Sequence, residues 1–304
     1  MADTSDRGSA AHALSRLVAG AVMISFSGVW VKLSHVTPAV SAFYRVFIGG
    51  VILLLLALLR HEMHWRGTRF MLLNLVCGVF FATDLILYHY SINLVGPGLG
   101  TILPNFQVFL LAIIGMVFFK EALRPMALLA MPLAFFGLFL IVGLDWRQLG
   151  RDYRIGLMCG LGAAICYTGV LLQLRKLQAE QDSTTGSSVL MTISLTTALL
   201  IALEILRTGG SFRIPDRQTL WALLALGVFS QVWGWLMITK ALPKIRASLS
   251  GLVLLLQPAL SFVWDVLIFK RPTSGLNWLG VAIALAAIYL GATARPRRGG
   301  KALE

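Results

Sequence analysis

Charged side chains are scarce in this sequence. Asp, Glu, Lys and Arg make up 13% of the 304 residues, against about 25% in soluble domains. Apolar residues make up 58%. This composition excludes a water-soluble globule, and it leaves little chain for a folded domain outside a membrane.

Cysteine and enzyme motifs are also rare or missing. The three cysteines, Cys77, Cys159 and Cys166, all lie in apolar runs, which favours small buried side chains over a disulfide framework. The motifs HExxH, GxSxG, GxxxxGK(S/T) and CxxC do not occur. His61 and His64 flank Glu62 without further ligands nearby, so we interpret this segment as a solvated loop. We therefore predict no metal, no cofactor, no enzymatic reaction and no use of ATP.

What the sequence does contain is a series of apolar runs, each near the ~20 residues that cross a bilayer. They occupy residues 15–33, 39–59, 70–92, 98–118, 126–144, 155–174, 187–206, 219–239, 248–269 and 275–294. We predict an all-α integral membrane protein with ten transmembrane helices. The first run is followed by Lys32 and a second run rather than by a cleavage site, so we expect it to be retained.

The basic residues indicate orientation rather than nucleic-acid binding. The net charge is +13, but apart from Arg45 every Lys and Arg lies at or beyond the end of an apolar run, where cations reach lipid headgroups. A cytoplasmic amino terminus places 16 of them inside and 9 outside. We predict that both termini are cytoplasmic and that nucleic acid is not a partner.

The sequence also contains a weak internal repeat. A shift of 150 residues places Phe119-Lys120 on Phe269-Lys270 and Gln107 on Gln257, and the apolar runs repeat with it. Chance similarity between apolar segments is the alternative. Duplication divides the chain into an arm (1–14), a first repeat (15–144), a connection (145–154), a second repeat (155–294) and a basic tail (295–304). Five spans per repeat is an odd number, so the second copy is inverted, which favours an alternating-access carrier.

Three segments carry a resemblance to a known family. They are Tyr44-Arg45-Val46-Phe47, the fourth-span end Phe118-Phe119-Lys120-Glu121, and Leu256-Gln257-Pro258 in the ninth span. With the ten-span pattern, they resemble EamA-type members of the drug/metabolite transporter superfamily. The sequence departs from the family at Arg271, where an acidic residue is usual, and at Pro104, which comes four residues early. The resemblance implies efflux of amino acids or related metabolites.

Two ionisable residues lie deep inside apolar runs, where an unpaired charge is costly. Arg45 is about 9 Å and Asp84 about 12 Å from the same outer surface, at 1.5 Å per residue. In a functional interpretation, Arg45 binds a substrate carboxylate, and Asp84 binds an amino group or a coupling proton. In a structural one, they form a fixed ion pair. By the same rule Asp265 and Glu204 lie within about 6 Å of the surface and are expected to snorkel or pair there.

Other polar and aromatic residues follow helical spacing. Asn74, Cys77, Phe81, Asp84, Tyr88 and Ser91 share one face of the third helix. We expect Asn74 and Ser91 to be interhelical ties and Tyr88 to face a cavity. Further cavity candidates are Asn105, Gln107, Gln231, Trp235, Gln257 and Trp264. The amides can instead tie helices, and Trp264 can instead belong to the interfacial aromatic belt. Pro104 and Pro258 are candidate hinges or static bends.

We predict a monomeric secondary carrier of the bacterial inner membrane that exports a small zwitterionic metabolite, with protons or a counter-substrate as further partners. An organic-cation or drug carrier is the alternative within transport, with Asp84 and the aromatic residues binding the ligand. A passive channel and a membrane-embedded enzyme are alternatives from other classes.

Overall fold

A computed structural model describes residues 2–59, 67–119, 125–142, 150–179, 186–241 and 253–293. Within these ranges every regular element is helical and no strand occurs. Seven of the described helices are long and apolar enough to span a membrane, and three shorter apolar helices occupy the fifth, ninth and tenth runs. The chain is an all-α, multi-pass membrane protein, as its composition predicts.

Some predictions concern residues outside the described ranges. They are the basic tail 295–304, the first half of the connection 145–154, the loop that contains His61 and His64, and Lys120-Glu121.

The helices follow the apolar runs. In the first half they are α1 (Ala2–Ser25), α2 (Ser27–Leu33), α3 (Pro38–Leu59), α4 (Gly67–Val95), α5 (Pro97–Ile102), α6 (Gln107–Phe119) and α7 (Pro125–Val142). In the second half they are α8 (Arg151–Ala179), α9 (Gly186–Arg207), α10 (Arg217–Ala225), α11 (Trp235–Ala241), α12 (Leu256–Phe269) and α13 (Gly275–Thr293). A 3-10 turn, Leu103–Phe106, joins α5 to α6, and a π-helical segment, Leu226–Gly234, joins α10 to α11.

Large apolar side chains cover the outside of the protein. Leu59, Phe118 and Trp221 are 79%, 76% and 69% exposed. In water such a surface would aggregate, whereas lipid tails accommodate it at no cost. The exposed faces of the helices are therefore the faces that contact the bilayer.

The main helix contacts join the two halves of the chain. α4 packs on α8, α3 on α9, α5 on α12, α7 on α13, and α1 on α11 and the π segment. The α7–α13 contact is made through small residues: a Cβ added at Gly137 would lie 2.6 Å from the backbone nitrogen of Ala284. Small residues let helix backbones approach closely, which is how packing is achieved in a bilayer. Neither half of the chain packs as a separate body.

Regular α-helical hydrogen bonding is interrupted where polar residues cluster. The 3-10 turn directly precedes Gln107, and α12 begins at Leu256, one residue before Gln257. The π segment contains Gln231. Irregular backbone at membrane depth is tolerated where it is covered by protein or lines a cavity. These interruptions therefore indicate where an internal site lies.

Candidate functional site

A cavity of about 200 Å³ lies between helices of both halves. Its lining comprises Ile24, Ser27, Arg45, Phe81, Asp84, Leu85, Tyr88, Thr101, Pro104, Asn105, Gln107, Tyr167, Trp235, Leu254 and Gln257. Guanidinium, carboxyl, amide and aromatic groups thus face one cavity, which is the usual composition of a site for a small organic molecule.

Arg45 is oriented by the side-chain amide of Gln231, which lies behind it. Its Nε donates to Oε1 of Gln231 at 3.1 Å, and Nε2 of Gln231 donates to Oγ of Ser194 at 3.1 Å. The Nη1 of Arg45 is buried and has no hydrogen-bond partner in the described part of the chain. One edge of the guanidinium is therefore fixed by the protein, while a buried donor on the other side is available to a ligand.

Asp84 lies on the cavity face of α4, one turn from both Phe81 and Tyr88. Its side chain is buried and makes no hydrogen bond or ion pair with any described residue. Arg45 is near enough to interact with it through space, but the two groups do not form a direct salt bridge. The fixed ion pair of the structural interpretation is not formed, and the guanidinium and the carboxyl group line the cavity separately.

Hydroxyl and amide groups form the wall contributed by α5 and the 3-10 turn. The Tyr88 hydroxyl lies 3.2 Å from Oγ1 of Thr101, and Nδ2 of Asn105 donates to the Thr101 carbonyl at 2.8 Å. Oε1 of Gln107 is buried without a partner in the described residues. The cavity thus holds an unused acceptor as well as an unused donor and an unpaired carboxylate.

The polar stripe on α4 divides into two functions. Phe81, Asp84 and Tyr88 line the cavity. Asn74 binds α9 instead: its Nδ2 donates to Thr192 at 3.0 Å, and its Oδ1 accepts from Thr196 at 2.7 Å. Asn74 is therefore the interhelical tie that its position predicted.

Ser91 differs from that prediction. Its Oγ is buried and makes no hydrogen bond within the described ranges. A Cβ added at Gly160 would lie 2.8 Å from this oxygen. Ser91 therefore serves as a small residue beneath α8, and close packing rather than a hydrogen bond explains its size.

Most of the residues proposed from the sequence lie at the cavity. The lining includes Arg45, Asp84, Tyr88, Pro104, Asn105, Gln107, Trp235 and Gln257. Gln231 contacts Arg45 from behind. Pro258 is buried in the first turn of α12, outside the lining. Trp264 also lies outside it, stacked on Phe26 at 4.6 Å and donating to Ser25 Oγ at 3.0 Å.

Sequence reasoning missed three polar residues of the lining: Ser27, Thr101 and Tyr167. Thr101 carried a usable signal, because it lies one helical turn before Asn105. Tyr167 was the more visible omission, since it is a polar aromatic residue inside an apolar run. Ser27 follows the break between α1 and α2 at Phe26, which no sequence pattern marked.

Beside the α5 wall of the cavity lies a set of contacts, which we call the clamp, formed by Lys32, Gly96, Asp265 and Arg271. Lys32 Nζ donates to the Asn93 carbonyl at 2.6 Å, and Arg271 Nη1 donates to the Val95 carbonyl at 2.8 Å. Both cations thus bind the last turn of α4, where the helix carbonyls favour positive charge.

Asp265 completes the clamp. It accepts from the Gly98 backbone N–H at 3.1 Å and from Arg271 Nη1 at 3.1 Å. Its side chain is 4% exposed and pairs with Arg271, so the predicted pairing is confirmed. Arg271 and the α4–α5 link cover it. A Cβ at Gly96, where φ is +90°, would lie 2.5 Å from Asp265 Oδ2, so this link requires glycine.

The fold and the cavity define a class: a multi-pass α-helical membrane protein with a polar site between its two halves. The sequence model described as the EamA-like transporter family matches residues 13–143 and again residues 154–293. The chain belongs to the EamA-like transporter family, and it is a membrane transporter.

Two relatives and one solved structure agree with this assignment. An uncharacterized transporter of Synechocystis sp. is 26% identical, over 89% of this chain and 85% of the relative. An uncharacterized transporter of Archaeoglobus fulgidus is 22% identical, over 88% and 93%. A protein of known crystal structure has a TM-score of 0.64 at 19% identity, over 93% of this chain and 97% of that protein. That last likeness establishes the fold alone.

Proposed function

We propose that the protein is a secondary transporter of the bacterial inner membrane that exports a small zwitterionic metabolite, such as an amino acid, by alternating access. In this proposal ten transmembrane helices form two inverted repeats, residues 15–144 and 155–294, and both termini are cytoplasmic. Protons or a counter-substrate drive the movement, and the functional unit is a monomer.

The helix contacts support the repeat architecture. Numbered by apolar run, the packed pairs are 3 with 6, 8 with 1, 2 with 7, 4 with 9 and 5 with 10. Exchanging the two halves of the chain turns the first pair into the second and leaves the other three unchanged. This is the pattern that a two-fold axis between the repeats would produce. The two separate family matches also support it.

The cavity supports the substrate class. The proposed substrate class rests on one observation: the buried Nη1 of Arg45 and the carboxylate of Asp84 both lack a direct partner among the described residues. Buried charges are costly unless they are paired. A zwitterion supplies both partners at once, its carboxylate to Arg45 and its ammonium group to Asp84. The volume of about 200 Å³ suits a small metabolite.

A carrier must close one side of its site before it opens the other, and the clamp meets this requirement. It ties the α4–α5 link to α2 and α12 at one end of the cavity. Beneath it, Ser261 Oγ donates to the Pro97 carbonyl at 2.9 Å and lies 3.0 Å from Thr101 Oγ1. These contacts are short-range and polar, so a rigid-body movement can break and remake them.

Counterflow in proteoliposomes tests the proposal. Liposomes that contain the purified protein are loaded with an unlabelled amino acid, and uptake of the labelled form is measured across a panel. We expect saturable, trans-stimulated uptake, which a passive channel would not give. Arg45→Gln should weaken it about 10- to 100-fold, because one charge-assisted hydrogen bond contributes about 1.5–3 kcal/mol.

The double variant Arg45→Gln/Asp84→Asn separates binding from structure. If the two residues only neutralised each other, the double variant, which has neither charge, would retain counterflow. If they bind substrate, counterflow stays lost although the protein folds. The matched control is Arg207→Gln/Glu204→Gln, which likewise removes one guanidinium and one carboxylate, but from an exposed ion pair. Wild-type counterflow in the Arg45/Asp84 double variant would refute the proposed site.

An organic-cation carrier is the second candidate. It is favoured by the unpaired Asp84 and by the aromatic rings of Phe81, Tyr88, Tyr167 and Trp235 in the same lining. In that case Arg45→Gln would spare or improve transport of a quaternary amine, whereas Asp84→Asn would abolish it.

A further inference from the structure

A second concavity lies on the outside of the protein, between α4 and α8. We call it the arginine groove; its volume is about 520 Å³ and its wall is mostly apolar. Ile155, Met158, Cys159 and Gly162 of α8 form one side, and Leu87 of α4 forms the other. Ile155 and Met158 are 42% and 62% exposed, so the groove opens toward the lipid.

The groove follows the helix geometry of α8. Ile155 lies four residues after Arg151, Met158 lies four after Arg154, and Gly162 lies four after Met158, which places all five residues on one face. Gly162 leaves the space at the lower end: a Cβ there would meet only Leu87, at 3.1 Å. The apolar channel therefore runs along α8 from the two arginines into the bilayer.

Two cations lie at the mouth of this channel. Arg151 and Arg154 both line it, at the end of the candidate span Arg151–Leu174. Neither guanidinium hydrogen-bonds or forms an ion pair with any residue that the structure describes. The neighbouring Asp152 is exposed and pairs with neither. By contrast, Arg207 and Arg271 at the same end of the protein are both paired with carboxylates.

We propose that the arginine groove is a binding site for an anionic phospholipid. Arg151 and Arg154 hold the phosphate, and one acyl chain lies in the channel above Gly162. Guanidinium groups match phosphate in a two-pronged geometry and bind it better than a single diffuse charge does. An acyl chain buries apolar surface along the channel, so headgroup and chain are recognised together.

The test is a lipid titration of the full chain in detergent, followed by native mass spectrometry. Phosphatidylglycerol and phosphatidylcholine with identical chains are compared, and glycerophosphoglycerol supplies the headgroup without chains. We expect phosphatidylglycerol to bind at least about tenfold more tightly than either. The choline ammonium offsets the phosphate charge in phosphatidylcholine, and glycerophosphoglycerol has no acyl chain for the channel, so only phosphatidylglycerol combines a net negative headgroup with acyl chains.

Matched variants locate the site. Arg151→Gln/Arg154→Gln should remove the preference for phosphatidylglycerol, whereas Arg213→Gln/Arg217→Gln, a pair of exposed arginines elsewhere, should leave it unchanged. Gly162→Leu fills the channel and should weaken phosphatidylglycerol about tenfold. Ile165→Phe, on the lipid-facing side of the same helix, is its control.

Three results would overturn the proposal: equal binding of the two lipids, an equal loss in the Arg213/Arg217 control, or tight binding of the chainless headgroup. If Gly162→Leu does not fold, the comparison with the chainless headgroup decides whether the channel contributes. A folded Gly162→Leu that binds phosphatidylglycerol normally would likewise reject the channel.

Discussion

Arg271→Gln should open the clamped end of the cavity. Arg271 donates to the Val95 carbonyl, to Asp265 and to the Tyr153 hydroxyl, at 2.8, 3.1 and 3.2 Å. Its side chain is 15% exposed and that of Asp265 is 4% exposed. Because the pair is largely desolvated, losing one partner costs several kcal/mol, in contrast to an exposed pair.

The magnitude follows from what remains after the substitution. Asp265 keeps its bond from the Gly98 N–H, so we take about 3 kcal/mol, the lower end for a broken buried pair. In a state that is open at this end, residues 265 and 271 are both in water, so the substitution does not destabilise that state. The substitution therefore shifts the equilibrium toward the open state by about 100-fold.

The assay is labelling of a cysteine inside the cavity by a membrane-impermeant maleimide. Leu85 lines the cavity and is 2% exposed, so Leu85→Cys, in a background without native cysteines, reports access. Labelling is compared in intact cells and in inverted vesicles. Arg271→Gln should accelerate it from the clamped side only, which the proposed topology places outside the cell.

The control is built into the protein. Arg207 and Glu204 form the same kind of pair, but their side chains are 74% and 40% exposed. Such a pair contributes about 0–1 kcal/mol, so Arg207→Gln should leave labelling unchanged. If folded Arg271→Gln is labelled at the wild-type rate, the clamp does not hold this end closed, and our reasoning is wrong.

Three further predictions concern stability. Gly137→Leu should destabilise the protein by about 1–3 kcal/mol, because its side chain would meet the α13 backbone; Gly150→Ala, which has open space around it, should not change the thermal midpoint. Asn74→Leu should cost about 1 kcal/mol by removing the tie to α9, measured as loss of folded protein on heating in detergent. The pKa of Asp216 is lowered, first by the Thr219 N–H and then by His35. Its stabilising effect is therefore present above the ordinary carboxyl pKa of about 3.9 and lost as the pH falls through the lowered value. Between about pH 5 and 3, the thermal midpoint should fall more in the wild type than in Asp216→Asn; equal slopes would contradict this.

Much of the fold could be predicted because the bilayer imposes simple rules. Apolar length located the helices, and helical spacing placed Phe81, Asp84 and Tyr88 on one face of α4, which the structure confirms. The 150-residue shift paired Gln107 with Gln257, and both line the cavity. These features depend on one helix at a time or on residues that are equivalent by repeat.

Features that depend on neighbouring helices could not be predicted in this way. Depth along a straight helix placed Asp265 near the outer surface of the bilayer, but it could not predict that the α4–α5 link and Arg271 bury its side chain. Tyr167 reaches the cavity because α8 packs on α4, a contact that no local pattern encodes. Gln231 and Trp235 are four residues apart, which predicts a common helix face. In the structure, however, Gln231 contacts Arg45 from behind and Trp235 lines the cavity.

The wide turn between Leu226 and Gly234 has an evolutionary consequence. Such a turn takes up one residue more than a regular helix of the same length does. Because the wide turn absorbs the extra residue, deleting a single residue there would restore a regular helix and leave Trp235 facing the ligand, instead of rotating everything beyond it by about 100°. Homologous sequences that lack this residue must be aligned with a gap inside a transmembrane segment, and an ungapped alignment would assign the wrong aromatic residue to the binding site.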